Sequence, residues 1–154
     1  MCTALDAAKE VCKLGNWEVS NLKLQKIMYI MQVFYYGNYN QPLFNASFEA
    51  WDYGPVIPSL YHRFKMFGNK PIQEWVFRNE KTSCDNDKIT FIKDFAPLLL
   101  SKTSAALVGL THRKESAWYK AYIPGAKGII IPEEEIKNEY ERVWLSNARN
   151  KASV

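Results

Sequence analysis

Cysteine and histidine are scarce in this chain of 154 residues, and their scarcity removes several kinds of chemistry at once. The three cysteines, Cys2, Cys12 and Cys84, form no CxxC pair, and with only two histidines, His62 and His112, they do not make a four-ligand structural zinc set. An odd count without regular spacing is not a disulfide framework, so the expectation is free thiols in a reducing compartment. Residues 1–6 lack the basic segment and apolar run of a leader. No apolar run approaches membrane-spanning length, because the most hydrophobic helical stretch is interrupted by Gln25, Lys26 and Gln32. The chain therefore reads as cytoplasmic, with no membrane partner. Phosphate-cradling glycine loops are missing too, since Gly125-Ala126-Lys127-Gly128 is too short and follows a helix. Internal repeats and low-complexity tracts are absent. The net charge of +4 comes from scattered basic residues interleaved with acids, so nucleic acid is disfavoured as the main partner.

What the chain does have is apolar and aromatic bulk. Hydrophobic residues make up 47% and aromatics 14%, enough for one domain with a substantial core. Residues 1–146 are expected to form that domain, with 147–154 as a frayed tail. Thr3 is placed to cap a first helix over 4–14, with Gly15 as its stop. Ser20 or Asn21 opens a longer helix to Tyr36, ended by Gly37; it is apolar enough to be central. One or two short strands fall between Leu43 and Tyr53, and Gly54-Pro55 breaks the strand. Pro58 starts a helix that closes at Gly68, with Leu60, Tyr61, Phe64 and Phe67 as its buried side. Residues 71–77 read as a strand or extended arm, and 79–87 as a polar loop. A helical pattern then resumes with a break expected near Ala96, because Pro97 removes a backbone donor. Ser104 and Ser116 cap two short helices. Ile129 to Ile131 form a strand able to pair with the one at Phe48. Pro132 starts a last helix with Glu133, Glu134 and Glu135 in its first turn, where acids suit the helix dipole.

Catalysis has little to work with. A nucleophile needs an adjacent base, and no local signature joins a cysteine or serine to either histidine. The chain reads as a non-enzyme with no cofactor and no metal; an enzyme reading would require His62 and His112 to converge on one pocket. The stretch Tyr61-His62-Arg63-Phe64-Lys65 interleaves rings and bases, as single-strand binders do, but helical spacing makes it first an amphipathic helix.

Three ordered blocks carry more information than any single motif. Residues 20–29 (SNLKLQKIMY), 49–68 (EAWDYGPVIPSLYHRFKMFG) and 110–118 (LTHRKESAW), with the ending Ile131-Pro132 and Ile136 to Tyr140, resemble in order and spacing the Panacea antitoxin domain of SocA-like and phage-associated GepA-like proteins. The match runs from about Ala4 to Val143. Ala117 and Tyr140 stand where Pro and Phe are usual, and residues 69–103 match poorly. The resemblance implies a mainly α (α+β) fold, a compact helical domain with a small two- or three-stranded sheet. It implies an antitoxin, often prophage-borne, that neutralises a cognate protein toxin by direct binding. It also implies a role as an adaptor that hands the toxin to a ClpXP-type protease. The candidate contacts are Trp51, Tyr53, Pro55, Tyr61, His62, Arg63, His112 and Trp118, chosen because aromatics and Arg carry most interface energy. For Trp51, Tyr53, Pro55 and Trp118 the alternative is that they build the fold. A DNA- or RNA-binding regulator, using Arg63, Lys65, Arg113 and Lys114, is the second functional reading.

Overall fold

Four helices of this protein begin where a hydroxyl side chain accepts from one of their first free amides. The computed structural model describes residues 2–78 and 83–145. Thr3 caps α1 (Ala4–Leu14) by accepting from the Asp6 amide, and the Asp6 carboxylate accepts from the Thr3 amide in return. Ser20 caps α2 (Asn21–Tyr39). Further helices are α3 (Pro58–Phe64), α4 (Asn86–Leu100), α5 (Ser104–Thr111), α6 (Ala117–Ala121) and α7 (Glu133–Glu139), the last continuing as a wider π-type turn over Tyr140–Leu145. A hairpin of β1 (Glu49–Trp51) and β2 (Gly54–Val56) is the described sheet. The fold is thus mainly α with a small antiparallel sheet.

α2 is the axis. It packs against α1, α3, α4, α5, α7 and β2, and Leu24, Ile27, Met28, Met31 and Val33 on it are fully buried. Ile130 adds a bridge to the hairpin: the Ile131 amide donates to Phe48 O and the Ala50 amide donates to Ile129 O. Pro55, which has no amide to donate, pairs opposite Ala50, whose own amide is taken by Ile129.

Several expectations give way to tertiary packing. Gly37 does not end α2. The helix runs on to Tyr39, and Asn40 stops it in the left-handed conformation at φ 54°. Gly37 is small for another reason: a Cβ there would lie 2.1 Å from Cγ of Tyr140, so the glycine admits that ring. Gly15 likewise has an ordinary φ of −85°, and the positive φ values fall on Asn16 and Trp17. The hairpin turns at Asp52-Tyr53, and Gly54-Pro55, expected to break the strand, forms β2. Residues 74–77 wind into a 3₁₀ turn instead of an extended arm. α4 continues through Pro97 without a break at Ala96. The Pro97 ring is exposed, and the Ser101 amide donates to Pro97 O just past the end of the helix. Thr103, one residue ahead of Ser104, caps α5.

The thiol expectation also fails for two of the three cysteines. Cys2 and Cys84 are joined by a disulfide across 82 residues, tying the start of α1 to the segment before α4. Cys12 stays free and buried. The expected tail and residues 79–82 of the expected loop lie outside the described residues.

Candidate functional site

Buried polar side chains along α2 place the hairpin and α3. Asn21, Gln25, Lys26 and Gln32 are all buried. They look like interruptions in an apolar helix, yet each is bonded to the chain segment from Leu43 to Tyr61. Gln32 accepts from the amides of Leu43 (2.9 Å) and Phe44 (3.3 Å) and donates to Phe44 O at 2.8 Å. Gln25 accepts from the Ile57 amide at 2.9 Å and donates to Asn21 Oδ1, and Asn21 donates to Tyr61 O at 3.1 Å. Lys26 Nζ donates to Pro55 O at 3.0 Å. Buried polar groups left without partners are costly, so this arrangement fixes the backbone of the hairpin and the entry to α3.

Lys26 is fully buried, and desolvation lowers its pKa from 10.5 to about 7. Gly54 lies directly over it. A Cβ on Gly54 would be 3.1 Å from Lys26 Nζ and 3.0 Å from Thr111 Oγ1, and the residue's φ of +115° also favours glycine.

A second set of contacts holds the hairpin from behind. Trp118 Nε1 donates to Trp51 O at 2.7 Å, and His112 Nε2 lies 3.2 Å from Asp52 O while its Nδ1 lies 2.7 Å from Val108 O. The His112 and Trp118 rings are 3.8 Å apart between centroids, and Tyr122 stacks on Trp118 at 4.6 Å while donating to the Asp52 carboxylate. The ordering of α6 depends in turn on Glu139, a buried carboxylate that accepts from the Ala117 amide at 2.7 Å and from the Tyr29 hydroxyl. Burial pushes the Glu139 carboxyl above its ordinary range, and these hydrogen bonds pull it back.

The outward side of this construction is an open groove of about 770 Å³. Trp51, Tyr53, Tyr61 and His62 line it, with Leu22, Val56, Lys65 and the Gly125–Gly128 turn completing the walls. Tyr53 is 71% exposed, although both neighbours of the hairpin turn are pinned. Trp51 donates to the Glu49 carboxylate at 3.0 Å and meets Tyr61 edge to face at 4.7 Å; the His62 ring is 6.5 Å from Trp51.

The eight candidate contacts therefore separate by position. Trp51, Tyr53, Tyr61 and His62 come together at the groove. Tyr61, expected in the core, is half-exposed there. Pro55 is buried within β2, and His112 and Trp118 lie behind the hairpin and position it. Arg63 is half-buried and donates to Val76 O at 3.2 Å, tying α3 to the 3₁₀ turn. His62 and His112 do not share a cavity: one lines the groove, the other sits behind the hairpin. The Cys12 thiol, pushed up to about 12 by burial, is a poor nucleophile. Of the basic residues in the nucleic-acid reading, Arg63 is engaged with Val76, and the Arg113 guanidinium lies 4.4 Å above the Trp144 ring. Among the described residues no helix is long and apolar enough to cross a membrane.

The groove-lining residues missed in the sequence were Leu22, Val56 and Lys65, together with the role of Asn21, Gln25 and Lys26. Their signal was present: a helix apolar on all sides has no wet face for its polar residues, so these must be buried and bonded.

Residues 24–119 match the family model of the antitoxin SocA-like Panacea domain, a span that includes all but the first three residues of α2, the hairpin, α3 and the start of α6. Antitoxin SocA of Caulobacter vibrioides is 43% identical over 54 residues, which is 35% of this chain and 29% of that protein's length. No solved structure matches the chain. With well over half of its length matched by the family model, the chain belongs to the SocA-like antitoxin family defined by the Panacea domain.

Proposed function

We propose that this protein neutralises a protein toxin by binding it in the groove beside the hairpin. The observation that carries the reading is the gathering of Trp51, Tyr53, Tyr61 and His62 on one open, largely apolar surface whose backbone is held from beneath. Large rings on a pre-ordered support lose little entropy on binding, and such residues supply most of the energy of protein interfaces. Family membership supplies the class of partner. Delivery of the bound toxin to a ClpXP-type protease is the further part of this proposal.

The test begins with the reading frame next to this gene. Expressed alone it should stop growth, and co-expression of this protein should restore it. Tyr53→Ala with His62→Glu should weaken toxin binding at least tenfold and abolish rescue, with thermal unfolding unchanged. Rescue that persists in this variant removes the groove from the interface. If the protease is required, the toxin's half-life should fall on co-expression and recover in a protease-deficient host; an unchanged half-life with intact rescue leaves direct binding alone.

A further inference from the structure

The opposite end of α2 carries a second hollow with different chemistry. It measures about 580 Å³ and is lined by Tyr35 and Tyr39 from α2 and by Asp87, Phe91, Asp94 and Phe95 from α4. The α4 residues recur at helical steps of three and four, so they form one stripe facing α2. The rings make a continuous aromatic floor. Tyr35 and Tyr39 are 4.6 Å apart, Tyr35 meets Phe91 edge to face at 5.0 Å, and Phe91 stacks on Phe95 at 5.4 Å. Tyr39 is 57% exposed, so part of this floor is open to solvent. The two carboxylates stand on either side of Phe91, each about one turn away along α4, and both are exposed. Neither is in an ion pair with a described residue; the nearby Lys88 pairs with Asp85 instead.

An aromatic floor flanked by carboxylates that have no ion-pair partner among the described residues selects for a cation. We propose that this hollow receives an arginine side chain of the partner protein, its guanidinium lying over Phe91 and forking to Asp87 or Asp94. Arginine fits better than lysine because its planar head stacks on a ring while bonding a carboxylate in the same pose. The site lies about 25 Å along α2 from Leu22 in the groove, so both reach one partner of ordinary interface size. It rests on the proposed function for the identity of that partner, and on the hollow alone for its chemistry.

The test has two arms, both on the full chain. In the first, the isotope-labelled protein is titrated with acetyl-Gly-Arg-Gly-amide and with its citrulline counterpart, which keeps the shape and lacks the charge. Saturable amide shifts at Tyr39, Asp87, Phe91 and Asp94 are expected with the arginine peptide, at least threefold weaker with citrulline, and lost in Asp87→Asn/Asp94→Asn. Absent shifts, equal shifts with citrulline, or shifts that survive the double variant overturn the proposal. In the second, the same variant should raise the Kd for the neighbouring toxin about tenfold and flatten its salt dependence. The charge-matched control Glu134→Gln/Glu141→Gln should change neither. An unchanged Kd in the double variant overturns the proposal. If the wild-type protein binds no neighbouring protein, the proposed function falls, and the peptide titration still decides the hollow.

Discussion

At its N-terminal end α2 buries Asn21, Gln25 and Lys26 and bonds all three to other parts of the chain. At its C-terminal end it buries Tyr35 and Tyr36, turns Tyr39 to solvent, and meets α4 through rings. The first end is ordered by directional hydrogen bonds, which leave one backbone geometry for the hairpin. The second is ordered by ring contacts, which tolerate small shifts, and by a covalent tether that fixes α4 at its start. The difference teaches how one helix presents two surfaces: a groove whose shape is set by the main chain, and a hollow whose shape depends on how closely α4 is held.

The largest perturbation separates those two supports. Reducing the Cys2–Cys84 bond, or replacing Cys84 with Ser, releases a closed loop of 82 residues. Loop-closure entropy puts the loss at about 4.5 kcal/mol. Denaturant unfolding with and without reductant measures it, and hydrogen exchange locates it. Faster exchange is expected in α1 and α4, with the hairpin amides of Ala50 and Ile57 unchanged. An unaltered unfolding midpoint would show that α4 is held by packing alone.

The next perturbation strikes the other end. Gln25→Leu keeps the volume roughly constant but leaves the Ile57 amide and Asn21 Oδ1 without their partner. At about 1–3 kcal/mol for each unsatisfied buried group, a loss of about 2–6 kcal/mol follows. Exchange should accelerate at Ile57 and in α3 while α4 stays protected. A loss under about 1 kcal/mol, measured by urea unfolding, would mean that water replaces Gln25 and that the hairpin is set from behind by His112 and Trp118.

How far these supports could be read from the sequence follows from the range of each interaction. Most capped helix starts were legible, because Thr3, Ser20 and Ser116 act on amides three residues away. Pairing of the Ile129 segment with the Phe48 strand was expected and occurs, but as an isolated bridge at Ile130 and not as a strand. Helix ends were not. Gly37 carries a stop signal, and only the ring of Tyr140, over a hundred positions later, explains why a glycine stands there. Pro97 carries a break signal, but it costs one internal bond in a helix that α1 and α2 hold on their side. The aromatic side of the groove was named in advance, while its polar scaffolding was not, because Gln25 and Lys26 read as interruptions until their partners at Ile57 and Pro55 are seen. The Cys2–Cys84 bond spans most of the domain and leaves no trace in local spacing. In the hollow, the stripe Asp87, Phe91 and Asp94 is visible on α4, yet its partners Tyr35 and Tyr39 belong to another helix.

The smallest effect tests the most unusual group at the N-terminal end. Lys26 is held at about 7 in the fold, by burial, against 10.5 as its ordinary value. Between those two pH values the unfolded chain binds a proton that the folded chain does not. Stability therefore rises with pH across that window, and below it the contribution is constant because both states are protonated. The slope is at most about 1.4 kcal/mol per pH unit from this one group. Lys26→Met removes the titrating amine while keeping the side chain's length, so the variant should lose that slope between pH 7 and 9.5. It should also unfold more easily at the upper end, where the wild-type amine is neutral and still donates to Pro55 O. Unfolding midpoints of the two proteins, measured at half-unit intervals, make the comparison. Parallel curves would mean that Lys26 keeps its charge under Gly54, and the hairpin would then rest on an ammonium stabilised by the surrounding carbonyl oxygens.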